Sequence, residues 1–406
     1  VVLGRWFSMP DSSQVLEYES RPTAGEAGGA STLRLRGHVP VLDGVRGLAI
    51  VLVLLVHFTP PGQSHTILGA MTKALASAGN VGVDLFFVLS GFLITGILLD
   101  AKGGPHYFRT FYARRSLRIF PLYYGVLLVT FVILPRFYAP RAPDAPRIFH
   151  EQGWLWLYGS NVKGGLSDLD RPFSSGWYQF DHFWSLAVEE QFYLVWPLMV
   201  LLLNRRGMMA LCVVLAAVAL GIRYWLFYRN DQTLAFYTMT PCRIDELATG
   251  GLIALVARSS VAAARLQKMA PILFVVSGVV LAAVWSTDFR AYVIGGTLLS
   301  VFFGSLIVVA LSPSLVNPIR AGLNLYPVRL LGKFSYAMYV LHPFLLAVLT
   351  DYLSYQRLGS LVHSAPVGVV LFLVIGFAVT LAAGWLSWHL YEKHFLKLKR
   401  FVEYRK

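Results

Sequence analysis

Arg46 and His57 stand eleven residues apart, at the two ends of an apolar run from Val45 to Phe58. Eleven residues of α-helix rise roughly 16 Å over about three turns, so the two side chains point the same way at different depths. The guanidinium is a fixed cation. The imidazole, with an unperturbed pKa of about 6.5, takes and gives a proton near neutral pH. Ionisable groups in a helix this apolar are expensive in a bilayer and usually face a cavity where they do chemistry or transport. A histidine capping the helix end beside Pro60 and Pro61 is the plainer reading of the same residue.

Other charged residues recur at helical spacing. Arg115 and Arg118 are three apart, with Arg114 four before Arg118, and so share one helix face. Guanidinium groups on adjacent turns can hold phosphate oxygens bidentately; topology-setting charge or lipid-headgroup contact would use the same residues. The neighbours Glu189 and Glu190 lie about 100° apart around a helix, so at least one should turn inward, to pair with a cation or orient an imidazole. Arg243, Asp245 and Glu246 open a later run and suit capping and mutual pairing, and Asp84 is one more acid inside an apolar run. Ser335, Tyr336, Tyr339 and His342 form a polar stripe, with Pro343 placed to disturb the backbone just beyond it. Glu392, between Tyr391 and Lys393, can pair with a basic tail or with an arginine of a nucleotide-binding site. Cys212, Cys242 and ten scattered histidines show no metal-ligand spacing, so neither a metal nor a disulfide is expected.

The elements that must position these residues follow from composition. The chain has 406 residues, 56% hydrophobic and 14% charged, with a mean hydropathy of +0.59, which is too apolar for an ordinary soluble domain of this length. An all-α, polytopic transmembrane bundle is predicted. Its ten spans fall near 43–60, 80–100, 119–137, 184–204, 208–227, 242–257, 270–287, 291–311, 330–350 and 366–390. They form one membrane domain over 39–395, after a disordered cytoplasmic segment at 1–38 and before a basic cytoplasmic tail at 396–406. Residues 1–40 contain no apolar run of the kind a secretory leader needs. The formal charge of +14 comes from Lys and Arg clustered between apolar runs; this is the pattern that sets topology, and it excludes nucleic acid as the expected partner. Counting those charges places both termini in the cytoplasm. The one long connection, about 138–183, then faces outward, and its aromatic stretch Trp154 to Tyr158 suits either an interfacial belt or an acceptor-binding rim.

Six strings taken together carry a family likeness: Leu42-Asp-Gly-Val-Arg-Gly-Leu-Ala with His57-Phe58, GVDLFFVLSGFLI at 82–94, RRSLRIFPLYY at 114–124, WSLAVEEQFYLVWP at 184–197, LGKFSYAMYVLHPF at 331–344, and Tyr391-Glu-Lys. In this order they resemble the acyltransferase-3 family of integral membrane O-acyltransferases, from about residue 40 to 395. The resemblance implies a bacterial inner-membrane protein using cytoplasmic acyl-CoA, acetyl-CoA first among them. The acyl group would go to a hydroxyl of a surface polysaccharide, peptidoglycan, glycolipid or secreted small molecule. Arg46 and His57 fall on the family's Arg-x10-His pair and Arg115 and Arg118 on its Arg-x-x-Arg pair, implying donor binding by the arginines and catalysis by His57. Glu392 resembles the family's acidic residue near the end of the last core helix. Beside these, Glu189 is the carboxylate expected to fix the tautomer of the imidazole, as a third group orients a base. The competing class is a transporter or flippase with an intramembrane His/Glu/Arg relay, which the lack of an internal repeat disfavours.

Overall fold

In a bilayer the backbone must satisfy its own hydrogen bonds, and a run of about 20 apolar residues does so as a helix. The computed structural model describes residues 33, 37–60, 81–136, 143–167, 169, 171–229, 235–284, 293–312 and 317–402. Apart from Leu33, Gly37 and His38, the expected disordered segment 1–38 lies outside the described residues, as do the last four residues of the basic tail. Among the described residues ten long helices are present: α1 Pro40–Phe58, α2 Val81–Ala101, α3 Tyr107–Leu128, α4 Phe183–Leu202, α5 Arg205–Tyr228, α6 Thr240–Val256, α7 Ser260–Val284, α8 Gly295–Leu311, α9 Tyr326–Leu353 and α10 Ala365–Ser387. Each expected span falls on one of them. Eight, counting the turns that extend α3, α9 and α10, are long and apolar enough to cross a membrane; α6 and α8, at 17 residues each, are shorter. The chain is an integral membrane helical bundle.

Small residues decide how closely the site-bearing helices approach. The most extensive helix contact is between α1 and α9. There Gly332 lies against the Asp43 carbonyl and Gly47 against the Val328 carbonyl, so tightly that a Cβ on either would collide with backbone. Helices in lipid associate through this kind of backbone approach. Gly91 and Gly250 allow the same approach between α2 and α6, whereas Gly96 meets open space. Gly332→Ala is therefore expected to destabilise the bundle by about 1–3 kcal/mol, the usual range for overpacking, and to shift α1 against α9. A thermal melt in detergent checks this, with Gly96→Ala as a near-neutral control.

Buried ion pairs tie the other helices together. Arg223 of α5 pairs with Asp245 of α6 at 2.6 Å and donates to Thr297 of α8 at 2.6 Å. Arg243 of α6 reaches Asp84 of α2 at 3.1 Å and Glu246 at 3.4 Å, inside a cage of Phe87, Trp184 and Tyr237. Mutual pairing within 243–246 is thus limited to Arg243 with Glu246. Adjacent residues of a helix point about 100° apart, so Asp245 turns to a different neighbour.

The long connection folds onto α3. It contains short helices at Ala145–Glu151, Gly153–Trp156 and Ser160–Gly165, and an antiparallel ribbon pairing Ser174–Ser175 with Tyr178–Gln179. Tyr158 stacks on Tyr123 at 4.2 Å, Trp156 stacks on Tyr124, and the Tyr123 hydroxyl donates to the Leu155 carbonyl at 2.7 Å. Two of the aromatics expected at an interface are therefore bound to the bundle.

Candidate active site

Toward the end of the bundle where α1 and α9 begin and α4 finishes, the basic end, a partly open cleft holds a cavity of about 110 Å³. Arg46 of α1, Arg115 and Arg118 of α3, and Glu189 and Glu190 of α4 line it, with Ser90, Tyr193, Tyr336 and Tyr339. The three-residue spacing of Arg115 and Arg118 brings both to the cleft, and the Arg115 guanidinium lies over the Tyr193 ring at 5.2 Å from its centre. Among the described residues neither arginine has a carboxylate within ion-pair distance. Arg46 is held by Asp43 at 2.8 Å. Glu392 is outside the cleft lining, buried in a π turn that continues α10; it accepts a hydrogen bond from Ser387 at 2.8 Å and lies within electrostatic reach of Arg118. Guanidinium forks without a protein anion are the groups that bind phosphate.

His57 lies at the opposite, loop end, in the last turn of α1, and its side chain is exposed. Its Nδ1–H donates to the Val53 carbonyl at 2.8 Å. A carbonyl can only accept, so Nε2 keeps the lone pair and is the basic atom. The ring packs edge-on against His342 of α9 at 4.7 Å, and His342 in turn lies 5.3 Å from His182, the residue before α4. Arg171 of the long connection is the charged residue within electrostatic reach of both His57 and His182. Glu189, expected beside the imidazole, is instead in the cleft, interacting with Ser90, Tyr193 and Arg115. The backbone carbonyl of Val53 holds the tautomer.

One side-chain layer separates the cleft from the histidines. Tyr339 and Ser185 line the cleft and are hydrogen-bonded to each other, and both hydroxyl oxygens lie 3.1 Å from the His182 carbonyl, to which one of them donates while the other donates to its partner hydroxyl. Beyond them the Tyr339 ring is 5.6 Å from His342. Two helix faces make this ladder. Tyr336, Tyr339 and His342 climb α9, the stripe legible in the sequence; His182, just before α4, is followed three and seven residues on by Ser185 and Glu189 of that helix. The sequence reading missed His182 and Ser185, although their offsets of seven and four from Glu189 place them on its face.

The sequence profile described as an acyltransferase domain matches residues 39–389. The chain belongs to the acyltransferase-3 family. Among similar proteins, the O-acetyltransferase OatA of Staphylococcus aureus is 27% identical over 327 residues, covering 75% of this chain and 50% of that protein. The peptidoglycan O-acetyltransferase OatA of Listeria monocytogenes is 26% identical over 326 residues, covering 76% and 49%. The chain thus spans about half the length of the curated relatives it matches. No solved structure matches it significantly. Four of the six acyltransferase-3 strings noted in the sequence supply the cleft and the ladder behind it, and the first supplies Arg46 and His57. The string at 82–94 supplies Ser90, that at 114–124 Arg115 and Arg118, that at 184–197 Ser185 and Glu189, and that at 331–344 Tyr339 and His342. Among the described residues no cluster of His, Cys, Asp or Glu is arranged to hold a metal ion.

Proposed function

We propose that this acyltransferase-3 chain moves an acyl group, acetyl in the first instance, from acyl-CoA in the cleft to a hydroxyl of a surface glycan. The basic end would face the cytoplasm of a bacterial inner (plasma) membrane, where lysine- and arginine-rich loops collect. The observation that carries this reading is the pair Arg115 and Arg118, free of carboxylate partners among the described residues, in a cleft whose Tyr339 wall backs onto His342 and, through it, the exposed His57 imidazole. The glycan acceptor rests on the relatives, whose printed names include peptidoglycan O-acetylation.

The cleft suits an anionic donor, because Arg115 and Arg118 lack, among the described residues, the carboxylate partners that would otherwise neutralise them. Arg115 and Arg118, with Arg46, hold the donor's phosphates. The donor supplies a thioester carbonyl open to attack by oxygen. His57 Nε2 removes the proton of the acceptor hydroxyl; the new C–O bond forms, the C–S bond breaks, and the proton ends on the sulfur of free CoA. Tyr339 and Ser185 stand across the route between the cleft and His57, so their side chains must part for the thioester carbonyl and the acceptor to meet.

The test is release of free CoA by the purified protein in liposomes, given acetyl-CoA and a soluble chito-oligosaccharide. Release that depends on the acceptor, with acetyl appearing on the sugar, is expected. Movement of either compound across the bilayer with no free CoA formed would overturn this reading in favour of a transporter.

A further inference from the structure

His342 is fully buried, yet its Nε2 has no hydrogen-bond partner among the described residues. A buried polar atom left unpaired is costly and calls for a reason. Its Nδ1–H donates to the Tyr339 carbonyl at 2.7 Å, so Nε2 carries the lone pair, as in His57. Two imidazoles, each pinned through Nδ1 to a backbone carbonyl and each basic at Nε2, therefore pack 4.7 Å apart between ring centres. The titratable groups that the His342 ring meets are His57 from α1, His182 from the start of α4, and Tyr339 one turn back on its own helix. Of these, Tyr339 also faces the cleft.

We infer that His342 is the proton-relay partner of His57, a positioning residue that holds the acceptor's proton while the C–O bond forms. This rests on the function proposed above, in which the attacking oxygen and the departing sulfur share one carbonyl carbon beside His57, so the proton needs a holding place between leaving oxygen and reaching sulfur. His57 Nε2 takes the proton from the hydroxyl and hands it to His342 Nε2. His342 Nε2 returns it to His57, which delivers it to the sulfur as the C–S bond breaks. The net reaction is unchanged: one proton leaves oxygen and one arrives on sulfur.

The experiment compares the full chain with His342→Asn, which keeps a donor to the Tyr339 carbonyl and lacks Nε2, and with His342→Phe, which keeps the ring volume. Both are assayed with acetyl-CoA and a chito-oligosaccharide, alongside His57→Asn. In the variant or variants that run as a folded peak in detergent, kcat should fall about 100-fold while KM for acetyl-CoA stays within about threefold. A kcat within about threefold of wild type in any folded variant, a KM that rises in step with the loss of kcat, or loss of the folded peak in both would overturn the relay in favour of packing. Failure of the wild type to release CoA sinks the parent reading instead; a dead His57→Asn beside a fully active His342→Asn sinks the relay alone.

Discussion

Replacing His57 by Asn is expected to lower acyl transfer by roughly 10³-fold or more, within the range that a positioned general base contributes. The asparagine amide can still donate to the Val53 carbonyl, which His57 Nδ1 reaches at 2.8 Å, but it offers no basic atom at the Nε2 position. Because His57 is exposed in the last turn of α1, the change removes little packing, and the folded protein should keep its affinity for the donor. The readings are acetyl release onto the sugar and KM for acetyl-CoA. Transfer within about tenfold of wild type would remove His57 from the chemistry, since a lost general base weakens catalysis far more.

The double variant Arg115→Ala, Arg118→Ala is expected to act on the donor. A hydrogen bond to a charged group contributes about 1.5–3 kcal/mol, so losing both guanidiniums should raise KM for acetyl-CoA by about 10³-fold with kcat little changed. The cleft offers no replacement of the same kind, because Arg46 is already engaged by Asp43 at 2.8 Å. Lysine at both positions keeps the charge and loses the planar fork, and should fall between the two. Added salt should weaken donor binding in the wild type more than in the alanine protein, because it screens the attraction that has been deleted. A double-alanine variant with unchanged KM would show that the phosphates bind elsewhere.

What the chain determines by itself is local. Apolar runs of membrane length, charges collected between them and three-residue spacings predict the helices, the basic end, and the phases that bring Arg115 with Arg118, and Tyr336 with Tyr339 and His342, to common faces. A helix's period is a property of its own residues, and so these readings need no neighbours. Partnership across helices is not local. Glu189 was expected at the imidazole but stands in the cleft beside Ser90 and Tyr193, and Asp245 leaves its sequence neighbours for Arg223. His182 meets His342 only because a connection of more than 40 residues folds back onto α3 and ends at the start of α4. These placements depend on the rotation and depth at which one helix settles against another. Close backbone approaches such as Gly332 on Asp43 set them, and only the assembled bundle contains that information.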